Sequence, residues 1–159
     1  LPGELVRVRL AERRANFLRG EVAEVIEPSP DRIAPRLAAD AHAPWQQIAY
    51  PAQLRFKEQI VREQLAKLAG LADAPVAPII AAPRPWGYRN SARLHAAGDR
   101  VGYHAAGTNT VVDLPEDPML LPALNDALAG LRELLEPDQI EGVTLRASAA
   151  YGYGLAALR

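Results

Sequence analysis

Cysteine is absent from all 159 residues. That excludes disulfides, thiolate metal sites, cysteine-held iron–sulfur clusters and a cysteine nucleophile within this chain. Histidine is scarce and scattered (His42, His95 and His104), a poor set for a zinc site, so no metal is expected in this segment. Long apolar runs are missing too: the longest are a few residues, against the roughly 20 that a membrane-spanning helix needs. No basic–apolar–small leader follows Leu1, so no signal-peptide pattern is visible, and a cytoplasmic protein without membrane attachment is expected. Methionine does not stand at position 1, which suggests a processed chain or a piece of a longer protein. Nor is there a Gly-rich phosphate loop. Gly152-Tyr153-Gly154 lacks the third glycine, the preceding buried strand and the following helix of a dinucleotide fingerprint, and reads as a turn. No Ser-His-Asp set stands out.

What is present can bury a core: 49% of residues are hydrophobic and 23% charged. The net charge is only -1, but it is unevenly placed. Residues 1–20 carry five Arg against two Glu, and residues 84–110 carry four Arg against one Asp. Residues 111–142 carry eight acids against one Arg. Of the 18 basic residues, 16 are Arg. Two basic segments on a near-neutral chain can make an anion-binding face. Arg abundance beside 30 Ala can equally reflect a GC-rich genome.

Val6, Val8 and Leu10 alternate with Arg7 and Arg9, the period-2 pattern of a half-buried strand, and a second strand is expected over residues 21–26. Two strands do not make a stable sheet alone, so exposed edges that pair between chains are expected. Pro28 and Pro30 make a stiff connector. Residues 37–44 read as a loop. A helix is expected over residues 52–68, with Pro51 at its start, Gly70 at its end and a stripe of Leu54, Val61, Leu65 and Leu68. Strands over 88–97, 101–106 and 110–114, broken by Gly-containing turns, mark an antiparallel meander. Leu121, Leu124, Leu128, Leu131 and Leu135 repeat at helical spacing over residues 121–135. Residues 143–148 and 154–158 look like a final hairpin. The fold class is therefore α+β: an antiparallel sheet of residues 88–114 and 143–158 carrying two main helices, with residues 5–26 set apart from it.

The segment from Pro85 to Leu94 is the richest in chemistry. On a strand, Arg89, Ser91 and Arg93 share one face, and Tyr88, Asn90, Ala92 and Leu94 the other. Two Arg about 7 Å apart match successive nucleic-acid phosphates, and Trp86 and Tyr88 can stack on unpaired bases. The same residues also suit core anchors with Arg as cross-strand ion partners. Glu116-Asp117 reads as favourable charge near a helix N-terminus.

Several short pieces, in this order and spacing, carry a resemblance. They are Pro2-Gly3-Glu4 with Val6-Arg7-Val8; Glu27 through Arg32 followed by Pro35-Arg36; Gln46 through Tyr50 with Gln53-Leu54 and Lys57; Trp86-Gly87-Tyr88-Arg89-Asn90; Val101-Gly102-Tyr103; and Ala106-Gly107 with Val111-Val112-Asp113. Over roughly residues 1–120 the chain resembles the RNA uracil-5 methyltransferase family, which makes 5-methyluridine in ribosomal and transfer RNA. The resemblance implies that residues 1–36 are the C-terminal part of an OB-like TRAM β-barrel and that residues 37–159 are a central α+β domain. The S-adenosylmethionine-binding catalytic domain of such enzymes has no counterpart here, so no catalytic residue is expected in this segment; the methyl donor is implied for the parent protein. Family members commonly hold an iron–sulfur cluster through cysteines after the Pro-Arg pair and near positions 116–118. Residues 37–45 and 116–118 contain none, so no cluster is expected. The RNA-binding residues expected are Arg89, Arg93, Asn90 and Tyr88, with Arg7, Arg9, Arg13 and Arg14, and the partner expected is RNA of the ribosomal branch. A non-catalytic structural or protein-interaction remnant of the family is the competing expectation.

Overall fold

The computed structural model describes residues 1–37, 42–134, 140–148 and 150–159. It divides into two compact units that interleave along the chain: Leu1–Ala34 with Trp45–Ile79, and Pro35–Pro44 with Ile80–Arg159.

The first unit begins with the antiparallel strands β1 (Leu5–Arg13) and β2 (Leu18–Glu27), longer than the alternation alone suggests. The Arg14 amide donates to the Phe17 carbonyl across the turn at 2.9 Å. Register shifts between Leu5/Val6, Arg7/Val8 and Leu10/Glu12 bend this two-stranded sheet. It is a sheet of its own, and the described residues contain no closed barrel. Leu5, Val8, Leu10, Leu18 and Val22 stay exposed on it.

Past the prolines, Ser29 starts a tight turn: its carbonyl accepts from the Arg32 amide and its hydroxyl from the Asp31 amide. Arg32 then bridges Ile48, and the Ala49 amide donates to the Asp31 carbonyl. Helix α1 (Tyr50–Ala69) follows, with proline in its first turn and Gly70 at φ 68° ending it in the left-handed region, as the sequence indicates. Gln53 Nε2 donates to the Trp45 and Ile48 carbonyls, fixing the approach to the helix. The expected core-facing stripe is corrected: Ala52 is the buried residue of α1, Leu54 and Leu65 are half-buried, and Val61 and Leu68 are exposed. Expecting both helices on the large sheet is corrected too, because α1 belongs to the unit of the hairpin.

In the second unit five antiparallel strands lie in the order β5-β4-β3-β6-β7: β3 (Ser91–Ala97), β4 (Arg100–His104), β5 (Val111–Asp113), β6 (Gly142–Ser148) and β7 (Tyr153–Leu158). Helix α2 (Pro122–Leu134) packs on one face. The expected Leu135 terminus lies outside the described residues. Alternation sends Ala92, Leu94, Val101, Val143 and Leu145 to the helix side, where they meet Leu120, Leu124 and Leu128. At Gly102 a Cβ would sit 1.9 Å from the Val112 carbonyl oxygen, so β4 approaches β5 more closely than any side chain allows. Arg132 Nη2 reaches back from α2 to Asp113 Oδ1 and the Val101 carbonyl, both at 2.7 Å, tying the helix end to the sheet edge.

Candidate nucleic-acid interface

Strand β3 begins at Ser91 rather than residue 88. Before it, Gly87 turns at φ 62°, and the amides of Tyr88 and Arg89 both donate to the Met119 carbonyl, at 3.1 and 2.8 Å. Two successive amides on one acceptor break the pleat, and with it the alternation that put Arg89 and Arg93 on one face. Arg89 instead acts on Tyr103 and on Asp117, lowering the pKa of both, on the side where Tyr103 packs against the core. Arg93 is exposed on the opposite face. Tyr88 is half exposed, and Asn90 is exposed, its carbonyl accepting from the Ala147 amide. Trp86 is half-buried with the Arg36 guanidinium 4.8 Å above its ring, a cation–π contact that occupies the indole face.

The hairpin arginines face outward but are mostly paired. Arg7 bonds Glu24 directly opposite it in the register. Arg9 meets Glu21 at 2.6 Å, again a directly opposed pair. Arg14 and Arg19 share Glu12. These pairs leave Arg13 as the hairpin arginine without a carboxylate partner among the described residues. Exposed pairs of this kind are weak and exchange readily for a stronger anion.

Asp117 differs from the sequence reading. It is fully buried, a polar hub rather than a helix-end charge. Its Oδ1 accepts from the Met119 amide at 2.8 Å, and its Oδ2 accepts from the Tyr103 hydroxyl at 3.3 Å and lies 3.0 Å from His42 Nε2. Asn125 closes the backbone side, accepting from the Asp117 amide and donating to its carbonyl. Burial pushes the Asp117 carboxyl upward, but His42, the Met119 amide and Arg89 outweigh it and hold the group below its ordinary value. Burial, and then Asp117, push the Tyr103 hydroxyl up. The His42 ring leans on Tyr103 with centroids 4.0 Å apart. This arrangement ties His42, Tyr103 and Asn125 to Asp117. It also engages the one imidazole in residues 37–50; residues 38–41 lie outside the described residues. Among the described residues no group of three or more His, Asp or Glu is placed to hold a metal ion, and no helix is long and apolar enough to cross a membrane.

No protein-family model matches the chain. An uncharacterized RNA methyltransferase of Thermosynechococcus vestitus is 38% identical over 145 residues, covering 86% of this chain and 32% of that protein. The 23S rRNA (uracil(1939)-C(5))-methyltransferase of Vibrio cholerae is 30% identical over 158 residues, covering 91% of this chain and 36% of that protein. The chain thus spans about a third of the length of the curated relatives it matches. The crystal structure of Pyrococcus abyssi tRNA (uracil-54, C5)-methyltransferase in complex with S-adenosyl-L-homocysteine shares the fold, with a TM-score of 0.72 over 99% of this chain and 39% of that one, at 21% identity. The sequence relatives of this chain are RNA methyltransferases, and uracil-C5 enzymes acting on 23S rRNA are among them.

Proposed function

We propose that this chain is the RNA-recognition portion of an S-adenosylmethionine-dependent RNA (uracil-5-)-methyltransferase directed at ribosomal RNA, with no catalysis by these residues alone. One observation carries the reading: 30% identity to a 23S rRNA uracil-C5 methyltransferase runs through 91% of the chain. Residues 1–36 then act as the C-terminal part of a TRAM-like module. Support comes from the exposed Val8, Leu10 and Val22 of the hairpin, which further strands of a barrel would cover. Residues 37–159 act as the central domain, and binding of the methyl donor falls to parts of the protein outside this chain. RNA contacts fall, within the second unit, to Arg93, Asn90 and Tyr88 and, separately within the first, to Arg7, Arg9, Arg13 and Arg14. Arg89 adds the charge that Tyr103 and Asp117 leave unshielded.

The test is fluorescence anisotropy of the intact chain with a labelled uridine-containing RNA hairpin over a salt series. The reading expects weak binding whose log affinity falls linearly with log salt, because phosphate contacts release counterions. Absence of binding, or binding indifferent to salt, overturns it. A structural or protein-interaction remnant of the family is the second reading. What favours it is the prior engagement of Arg7, Arg9 and Arg89 by groups of the chain itself. On either reading β7, an edge strand among the described residues, offers a site for pairing with another chain, which sedimentation at rising concentration would show.

A further inference from the structure

We propose that the face of the five-stranded sheet opposite α2 is a second RNA-contact surface, where Arg93, Arg146 and Arg159 take backbone phosphates and the Tyr151–Tyr153 pair stacks on an unpaired base. This rests on the RNA-recognition reading and adds Arg146, Arg159, Tyr151 and Tyr153 to the Arg93 already assigned there.

Register places these groups together. Ser91 pairs with Arg146 and Arg93 with Thr144, and directly opposed residues of an antiparallel pair point to one side. Arg93 and Arg146 are therefore diagonal neighbours, about 7 Å apart. Their alternates Ala92, Leu94, Val143 and Leu145 fill the core, so the arginines face away from α2. Arg159 joins them from the end of β7: its Nη2 lies 3.9 Å from where a Cβ on Gly142 would sit. The three arginines line a cavity of about 300 Å³ with Ser91 and Thr144, and among the described residues no Asp or Glu lines it. All three arginines are exposed. This sets the face apart from the hairpin, where glutamates answer most arginines.

The field there is positive. Burial lowers the pKa of His95, and His104, Arg159 and Arg93 lower it further. His95 stacks on His104 with centroids 3.8 Å apart, extending the face across β3 and β4. At the other end Ser148 pairs with Tyr153, so Tyr153 shares the side of Arg146. Tyr151 and Tyr153 stack with centroids 6.0 Å apart, and they are 78% and 64% exposed, which leaves ring surface free. Arginines at phosphate spacing beside free aromatic rings suit single-stranded RNA: the planar fork grips phosphate and any base can stack.

The experiment uses the intact chain, a short fluorescein-labelled single-stranded RNA containing uridines, and salt from about 50 to 200 mM. Three proteins are compared: wild type, Arg146→Ala with Arg159→Ala, and Tyr151→Ala with Tyr153→Ala. Each is checked by circular dichroism melting. The arginine variant is expected to weaken binding and flatten the salt slope by about 1.4 units, two contacts' worth on a single strand. The tyrosine variant is expected to lose about fivefold or more in affinity with the slope unchanged. Wild-type binding with both folded variants unaffected overturns this surface but leaves the RNA-recognition reading standing. No binding by wild type sinks both. A face made for an acidic protein gives a third pattern, in which polyglutamate displaces the RNA and the tyrosine variant binds normally; that result also overturns the proposal.

Discussion

Arg32 holds Glu4 by both edges of its guanidinium, with Nε 2.5 Å from Oε1 and Nη2 2.9 Å from Oε2. The pair pins the Pro28–Pro30 connector to the start of β1, and Glu4 also accepts from the Ser29 amide. Arg32 above all holds the Glu4 carboxyl well below its ordinary value of 4.5. A depressed carboxylate stabilises the fold fully above its unfolded value, and that contribution is lost as pH falls through the folded value. Melting temperature should therefore drop as pH falls below 4.5. Glu4→Gln should melt lower than wild type at pH 7 and show a shallower acid limb. Thermal melts across pH check this; a variant with an unchanged acid limb assigns the acid sensitivity to other carboxylates.

Gly102→Ala should destabilise the second unit, since its Cβ would collide with backbone at the Val112 carbonyl rather than with a movable side chain. Gly98→Ala meets nothing within 4 Å but must keep φ 59°, so it should lower the melting temperature less, through turn strain alone. Reversed order of the two variants in a thermal melt contradicts the close approach of β4 and β5.

Asp117→Asn should cost about 1–3 kcal/mol, because a fully buried acceptor hub loses its charge and cannot serve both the Met119 amide and Tyr103 as before. Since the carboxyl is held below its ordinary value, its contribution is present near neutral pH and fades on acidification. Urea unfolding at pH 7 and pH 3 checks both statements, with the gap between wild type and variant narrowing at the lower pH.

Arg89 and Arg93 should behave differently despite their sequence spacing. Arg89→Ala removes a partner of Tyr103 and is expected to lower the melting temperature more than it alters the salt slope of RNA binding. Arg93→Ala is expected to leave melting nearly unchanged and to flatten the slope by about 0.7 units. Equal behaviour of the two would restore the single face that simple alternation suggests.

The Leu repeat of α2 was legible because a period of 3 and 4 needs no knowledge of what it packs against: Leu124 and Leu128 are buried on the sheet. Gly70 and the turn glycines were legible for the same local reason. Arg89 was misread because the Met119 carbonyl, far along the chain, takes two successive amides and breaks the alternation. Asp117 was hidden because His42, Tyr103 and Asn125 come to it from three separate segments. Arg146 and Arg159 gave no signal as a pair with Arg93, since only the β3–β6–β7 register brings them to one face. The stripe of α1 had the right period but stays largely exposed, because period alone does not supply a partner surface.

Ultraviolet crosslinking of the intact chain to a uridine-containing 23S rRNA fragment, with crosslinked peptides identified by mass spectrometry, tests the RNA-recognition account most directly. Crosslinks are expected on peptides holding Tyr88 to Arg93 and Tyr151 to Tyr153, and they should weaken as salt rises. Crosslinks confined to the acidic 111–142 segment, or none above an unrelated protein of equal charge, would contradict it.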